Sequence, residues 1–263
     1  MDQRPDLVFK ISNSNELKEG IENRYQNTVK GKQIIMQLGL DRLNIPSSKI
    51  LSFEYNGAEY SMIAEKRLSF RSNPYEQEDL YYKNVEFLKP IVKQLASFIF
   101  EIGDNDVRFD NYPILDQISD QPLQCGVIDL EFAGHRPIDG FIGGKNGSIG
   151  LMGMMPTEEL VDLLIEECKI RGLILEKLFE DTATIKANQL EKIAAYHHYH
   201  QFCENRGIRT GFEPFMQLEE IEKLELNLEE KGQYRDKTYK LRKAVSDVVN
   251  QMNKNFKSQN RFS

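Results

Sequence analysis

The sequence predicts an α+β protein in which the strands lie in the first half of the chain and helices fill the second half. Three observations support this class. A β-prone run and a hairpin signal lie within residues 1–70. Short apolar runs separated by glycine and proline continue to about residue 155, and helical spacing of apolar residues dominates after residue 157. With 263 residues, the chain is long enough for one large domain or two lobes.

The composition is that of an ordinary globular protein, with 40% hydrophobic and 29% charged residues. The net charge of -7 argues against a general nucleic-acid binder, which needs a basic surface. No apolar run approaches the roughly 18 residues that a membrane span requires, and the start of the chain carries no apolar signal region. Three widely separated cysteines without a CxxC pair favour a reducing compartment. We therefore expect a cytoplasmic protein.

The segment 1–70 predicts a strand, a long helix and a hairpin. A polar cluster at residues 12–15 follows the first β-prone run and is typical of a helix start. Asn56-Gly57 between two β-prone runs is the strongest short hairpin signal in the sequence. The predicted ranges are a strand over 7–11, a helix from 17 through 36 that stops before Pro46, and strands over 49–55 and 59–65.

The middle of the chain predicts an apolar helix, a loop and two short strands. The helix is expected over 88–102, the loop over 103–110, and the strands near 112–115 and 125–130. A glycine-rich, irregular segment is expected over 132–155. The remaining residues predict four helices, at about 157–180, 184–206, 216–231 and 234–256.

Asp106 and Asn111 stand five positions apart in the predicted loop, with Arg108 between them. In phosphoryl transfer the protein positions an acceptor hydroxyl and neutralises charge on the transferred group, so carboxylates and metal ligands must converge on one point. The spacing D-x-x-x-x-N is that of the protein-kinase catalytic loop. A spacing this short also arises by chance, so its context decides its value.

The context of this loop adds a third acidic residue. The apolar run Gly126-Val127-Ile128 delivers Asp129 at its exit, as a magnesium-binding loop requires. Leu130 and Glu131 follow it, where the kinase motif D-F-G has Phe and Gly. Three carboxylate or amide side chains on two loops joined by one hairpin therefore predict a metal and phosphate site.

The order of these features resembles the protein-kinase-like superfamily over about residues 7–135. Val8-Phe9-Lys10 looks like the family's V-A-I-K strand, and Ser61–Lys66 resembles the strand that leads into its hinge. The resemblance implies a kinase-like two-lobe fold with a truncated small lobe at 1–70. The large lobe, at 71–263, would carry both loops and an all-helical C-terminal half.

The resemblance also implies an ATP- and Mg²⁺-dependent phosphotransferase. Asp106 would accept or orient the proton of the acceptor hydroxyl, and Arg108 would contact the γ-phosphate. Asn111 and Asp129 would bind the magnesium ion. The acceptor is left open between a protein and a small molecule such as a sugar, a lipid or a nucleotide.

The small lobe would hold the nucleotide. The resemblance makes Lys10 the residue that contacts the α- and β-phosphates, with Glu22 or Glu19 of the long helix as its ion-pair partner. Glu65 and Arg67 would offer backbone groups to adenine. The solvated alternatives remain open for each of them, since charged residues on strand edges and helix faces are common.

The chain also departs from the family. No glycine-rich loop precedes Lys10, and Asp104 and Asn105 take the positions of His and Arg in H-R-D. The overall form resembles a divergent, minimal kinase-like protein of the type that intracellular bacteria carry as effectors. A pseudokinase-type binding module that holds a partner with its C-terminal helices is the rival hypothesis, and AMP transfer is a further alternative.

Two further segments have an ordinary and a functional interpretation. The glycine-rich segment Gly140–Gly150 occupies the place of an activation segment and is not a Walker A motif. We interpret it as a loop, with folding over the phosphates as the alternative. His197 and His200 share a helix face, which favours a polar surface over a metal site because no regular ligand spacing accompanies them.

Overall fold

The structure is a computed structural model in which residues 6–11, 17–55, 58–117, 121–143, 148–173 and 182–205 are described. All of these residues belong to the first of two compact units, Met1–Met216. The second unit, Gln217–Ser263, lies outside the described residues, and so do the helices predicted over 216–231 and 234–256. The division predicted at residue 70 falls inside the first unit. Its class is α+β, as predicted.

The described elements are four strands and one long helix up to residue 66, and they are mostly helical beyond it. In chain order they are β1 (Leu7–Ile11), α1 (Leu17–Leu38), β2 (Leu43–Asn44), β3 (Ser48–Tyr55), β4 (Ala58–Lys66), α2 (Pro74–Lys83), α3 (Val85–Ile102), β5 (Cys125–Gly126), α4 (Pro137–Ile142), α5 (Gly150–Gly153), α6 (Glu158–Ile170) and α7 (Thr182–Asn205).

The main sheet has three antiparallel strands in the order β1-β4-β3, and α1 packs against β3 and β4. Val8 pairs with Glu65, and Lys10 pairs with Ile63. Side chains alternate between the two faces of a strand, so Lys10, Ile63 and Glu65 share one face. Ile63 is fully buried on that face, and Glu65 is 4% exposed. The long helix and hairpin predicted from the sequence are confirmed with small changes at their ends.

Helix α3 forms the centre of the hydrophobic core. Eight of its residues are buried, at the spacing of one helix face: Leu88, Ile91, Val92, Leu95, Ala96, Phe98, Ile99 and Ile102. The helix ends at Gly103, whose φ of 69° is left-handed and whose N–H donates to the Ile99 carbonyl at 2.9 Å. A side chain at Gly103 would also meet the His135 carbonyl oxygen at 2.3 Å. Glycine therefore directs the chain out of the core and into the loop that follows.

Several elements differ from the sequence predictions. Helix α2 begins at Pro74, a residue from which no helix was predicted, although proline is well suited to the first position of a helix. The two strands predicted over 112–115 and 125–130 shorten to β5 and a single bridge between Ile114 and Cys125. β5 instead pairs in parallel with β2, which was not predicted. A strand as short as β2 or β5 carries no periodic signal that a sequence pattern could reveal.

The segment predicted as irregular over 132–155 contains two short helices, α4 and α5. The helix predicted over 157–180 is observed as α6, which ends earlier, at Ile170. Gly172, with a φ of 69°, follows it. Thr157 caps the start of α6, accepting a hydrogen bond from the N–H of Leu160 at 3.4 Å. The final described helix, α7, agrees closely with its predicted range.

The structure describes the side chains of two of the three cysteines and the helices in which a membrane span would lie. Cys125 and Cys168 are free and buried, and burial raises the pKa of each thiol to about 12. Both are therefore protonated and unreactive packing residues. The side chain of Cys203 lies outside the described set. Among the described helices, none combines the length and the apolar character that crossing a membrane requires.

Helices α2 and α7 meet through aromatic rings and carboxylates. Tyr82 stacks on Tyr196 with 3.5 Å between ring centroids, and the Tyr196 hydroxyl donates to Asp79 at 2.6 Å. His200 places Nε2 3.4 Å from the same carboxylate. This contact accounts for the histidine face of α7. No group of three or more His, Cys, Asp or Glu side chains suited to a metal occurs among the described residues.

Glu78 lies in this contact with 7% exposure, and burial followed by the charge of Asp79 raises its pKa to about 8. Because the native state keeps this proton and the unfolded state releases it near pH 4.5, the free energy of unfolding falls as pH rises from about 4.5 to 8. Glu78→Gln removes that loss. We expect the variant to gain roughly 4 kcal/mol, about 8–16 °C in Tm, at pH 8.5 relative to its difference from the parent at pH 5.

Thermal unfolding at both pH values measures this difference. Glu76→Gln on the exposed side of the same helix is the matched control and should show equal Tm differences at the two pH values. An equal gain at pH 5 and 8.5 for Glu78→Gln would contradict the assignment.

Candidate functional site

The loop after α3 is folded around the carboxylate of Asp104, which has no exposure. One oxygen, Oδ1, accepts the backbone N–H of Asp106 at 3.1 Å. The other, Oδ2, accepts the hydroxyl of the buried Tyr112. Burial raises the pKa of Asp104 to about 6, although both hydrogen bonds oppose the rise. Asp104 therefore ties the two ends of the loop together.

Asp106 and Asn111 lie in direct contact within the loop. The Asn111 side-chain nitrogen donates to Asp106 Oδ2 and to the Asp106 carbonyl, both at 2.8 Å. Arg108 Nε lies 3.2 Å from Asp106 Oδ1 and 3.4 Å from Asp110 Oδ1. Both oxygens of the Asp106 carboxylate are thus held in place by side chains that follow closely in the same loop.

The environment makes Asp106 a better proton acceptor than a solvated aspartate. Its pKa is raised, mainly by partial burial and further by the charges of Asp129 and Asp110. The Arg108 guanidinium and the hydrogen bond from Asn111 act in the opposite direction. A carboxylate with a raised pKa accepts a proton more readily.

The segment that carries Asp129 is bonded directly to this loop. The N–H of Ile128 donates to the Asn111 carbonyl at 3.1 Å, and the N–H of Asn105 donates to the Phe132 carbonyl at 3.4 Å. The charge of Asp129 raises the pKa of both Asp104 and Asp106. The structure therefore brings Asp106, Asn111 and Asp129 together at one place.

Lys10 reaches the same place from β1. Its Nζ donates to the Ile128 carbonyl, just before Asp129 in the chain, and pairs with Glu65 Oε2 at 2.7 Å. The expectation that Glu22 pairs with Lys10 is wrong, because Glu22 is exposed and the partner of Lys10 is Glu65 on the adjacent strand. The Glu19 side chain lies outside the described set. The sheet face shared by Lys10 and Glu65 explains the pairing.

Strand pairing involves the backbone of Glu65 and the N–H of Arg67, groups that were expected for adenine. Glu65 lies on the central strand, paired with Val8 on one side and Ser48 on the other. The N–H of Arg67 already donates to the Asp6 carbonyl at 2.7 Å. Strand pairing at the end of β4 therefore uses these groups, and Glu65 contributes its side chain instead. A cavity of about 400 Å³ borders Arg67, but neither Asp106 nor Asp129 lines it.

Arg24 of α1 was not singled out from the sequence, yet it contacts the centre of the site. Its Nη2 lies 2.5 Å from Asp129 Oδ2, and its Nη1 lies 3.5 Å from Glu131 Oε2. Ile21 and Thr28 are buried on either side of it along the helix. The position of a charged residue on the buried face of a helix could have indicated this contact, because a buried charge needs a partner of opposite charge.

Two more side chains of α1 lie near the Asp129 segment and Glu65. Asn27 donates to the Leu130 carbonyl at 2.9 Å, which fixes the helix against the Asp129 segment. Lys32 has a lowered pKa because it is partly buried, with the charge of Glu65 opposing the change. The sequence offered no motif for either residue.

The described part of the glycine-rich segment packs beneath the loop. Ser148 Oγ donates to the Val107 carbonyl at 3.1 Å. A side chain at Gly140 would meet the Asp104 carbonyl oxygen at 2.2 Å, so this glycine permits close packing of α4. Residues 144–147 lie outside the described set, so folding of this segment over phosphates stays a prediction.

The donor set suits a magnesium ion held partly by the protein. Asp129 offers carboxylate oxygens, and Asn111 offers an amide oxygen while its nitrogen is bonded to Asp106. Magnesium prefers oxygen ligands and typically takes one or two carboxylates together with phosphate oxygens and water. These residues therefore fit Mg²⁺ when a phosphate ligand accompanies it.

Comparisons with protein-family models, with curated proteins and with solved structures find no match to this chain.

The Lys10–Glu65 pair supports a stability prediction. Glu65→Gln leaves the partly buried Lys10 and Lys32 near a neutral side chain, and losing a charged hydrogen bond costs about 1.5–3 kcal/mol. We expect urea denaturation to show a loss of that order. Glu22→Gln on exposed α1 surface is the matched control and should change the free energy of unfolding by less than about 0.5 kcal/mol. Equal losses in the two variants would overturn the assignment of Glu65 as the partner.

Proposed function

We propose that the protein is an ATP- and Mg²⁺-dependent phosphotransferase with a kinase-like two-lobe fold. One observation carries the proposal: Lys10, Asp106, Asn111 and Asp129 converge, although Lys10 and Asp129 lie far apart in the sequence. The Ile128 segment links them, because its carbonyl accepts from Lys10 and its N–H donates to Asn111.

The sheet supports the small lobe of the proposed fold. The strand that carries the lysine, the long helix and the hairpin occur in the order that the resemblance implies. The helix packs against the sheet and against α3, so it spans the strand part and the helical part. The acceptor remains open, since no described contact selects between a protein and a small-molecule hydroxyl.

The proposed reaction breaks the bond between the γ-phosphorus and its bridging oxygen to the β-phosphate. A new bond joins the acceptor oxygen to that phosphorus, and ADP leaves with the electron pair. Asp106 takes the proton of the acceptor hydroxyl, helped by its raised pKa. Arg108, whose Nε lies 3.2 Å from Asp106 Oδ1, would contact a phosphate oxygen through its guanidinium.

The nucleotide would be held by residues from both parts of the structure. When bound, Mg²⁺ would reduce the charge that develops on the phosphate oxygens during transfer. Asn111 and Asp129 would ligate it. Lys10 supplies an ammonium group that Glu65 keeps oriented toward the site. Asp104 keeps the Asp106 loop closed through Tyr112.

The dependence of nucleotide binding on metal tests the first half of the proposal. ATP should raise Tm only when Mg²⁺ is present, because the two ligands bridge it to the phosphates. Asp129→Asn should lose that shift while remaining folded, and Glu101→Gln, which removes an exposed carboxylate of α3, should keep it. Differential scanning fluorimetry with and without EDTA measures these shifts. An equal ATP shift in EDTA would contradict the metal assignment.

Phosphate transfer tests the second half. Asp106→Asn keeps the shape of the side chain and cannot take a proton, so we expect transfer to fall by about 10²–10⁴-fold. Binding of Mg-ATP should stay close to that of the parent, because the lost interaction belongs to the transition state. Label from γ-³²P-ATP on the protein or on lysate components is the measurement. Label from α-³²P-ATP with none from γ would contradict phosphoryl transfer in favour of nucleotidyl transfer.

A second candidate function is a nucleotide-responsive binding module without transfer activity. The observation that favours it is the commitment of both Asp129 oxygens: Oδ2 to Arg24 at 2.5 Å and Oδ1 to the N–H of Glu131 at 3.3 Å. A parent protein that transfers no label while Asp106→Asn still captures the same partner would support this module over the enzyme.

A further inference from the structure

Arg24 approaches Asp129 from a fixed position on α1. The helix is held against the Asp129 segment by the hydrogen bond from Asn27 to the Leu130 carbonyl. The Thr28 hydroxyl donates to the Arg24 carbonyl at 3.0 Å, one turn further along the helix. The Arg24 side chain is 17% exposed, so most of its surface is removed from water. Its guanidinium therefore depends on protein acceptors for its hydrogen bonds.

Those acceptors are few. Asp129 Oδ2 at 2.5 Å is the near one, and Glu131 Oε2 at 3.5 Å is at the limit of a hydrogen bond. The Nε of Arg24 is buried and finds no acceptor in the part of the chain that the structure describes. The guanidinium thus keeps a donor that could serve an additional anion, since a buried unpaired donor is unfavourable.

The same carboxylate is the one proposed to ligate magnesium. Asp129 Oδ1 accepts the N–H of Glu131, so each of its oxygens already accepts one hydrogen bond. A metal ion on Oδ2 would meet the Arg24 cation at the same oxygen, and repulsion between the two cations favours the release of Arg24. Releasing a largely buried guanidinium without a new acceptor is costly, because a charged donor would lose its hydrogen bonds. An anion that enters together with the metal removes that cost.

We infer that Arg24 binds a phosphate group of the metal-bound nucleotide, exchanging the Asp129 carboxylate for phosphate oxygens when the nucleotide enters. Guanidinium is well suited to this exchange, since its fork of donors fits carboxylate and phosphate oxygens alike. The inference rests on the proposed nucleotide site and adds a third cation to it, beside Lys10 and the metal. The consequence is coupling between metal binding and nucleotide binding. A metal ion alone competes with Arg24 for Asp129, whereas a metal ion with nucleotide supplies a phosphate group for Arg24 to bind.

The coupling predicts opposite effects of one substitution on two affinities. Arg24→Gln removes the competitor of the metal, so Mn²⁺ alone should bind more tightly. The same variant loses a charged phosphate contact, so Mn²⁺ with β,γ-imido-ATP should bind about tenfold more weakly. Arg24→Lys keeps the charge without the paired donors and should fall between parent and Arg24→Gln for the nucleotide complex. It also carries the test if Arg24→Gln does not fold.

Isothermal titration calorimetry on the full chain measures both affinities, with Mn²⁺ alone and with Mn²⁺ and β,γ-imido-ATP together. Lys30→Gln makes the same charge change on an exposed position of α1 and should alter neither affinity by more than about twofold. Tighter binding of both probes by Arg24→Gln would overturn the inference and make Arg24 a blocking residue only. Unchanged nucleotide affinity would also overturn it. A parent that binds no nucleotide complex at all would instead refute the proposed function.

Discussion

Asp104 is a carboxylate without solvent exposure, and the loop that contains the candidate base is folded around it. It accepts hydrogen bonds from the backbone of Asp106 and from the hydroxyl of Tyr112, so it connects the start of the loop to its end. Burying an ionisable group is unfavourable unless its oxygens are hydrogen-bonded, and here both are. The positions of Asp106 and Asn111 depend on this closed loop, and the Asp129 segment depends in turn on Asn111.

A second constraint joins the first strand and helix to this loop. Three side chains of β1 and α1 contact the segment 128–131: Lys10 at the Ile128 carbonyl, Arg24 at Asp129 and Asn27 at the Leu130 carbonyl. Two of the three are cations, and they face a cluster of acidic side chains in which the charge of Asp129 raises the pKa of Asp104 and Asp106. Attraction across this boundary offsets the repulsion within the cluster.

The sequence by itself determined the α+β class, the long helix, the hairpin and the core helix α3. These features rest on local physics: the hairpin signal of the dipeptide Asn56-Gly57 in the sequence, the apolar stripe of α3 and the glycine that ends it. The contact between Asp106 and Asn111 was also predictable, because their short spacing within one loop limits their separation. So was the delivery of Asp129 by an apolar run, in which Val127 is buried.

Only the tertiary structure decided which charges pair. Lys10 takes Glu65 and not Glu22, because strand pairing places Glu65 on the same sheet face and leaves Glu22 in solvent. Arg24 meets Asp129 across 105 positions of sequence, and Leu43 of β2 pairs with Cys125 of β5; no local pattern encodes either contact. Ion pairs of this kind depend on distances and burial that arise after the elements pack. Spacing along the chain thus indicates which residues lie in one loop, whereas the packing of the elements decides which oppositely charged side chains pair.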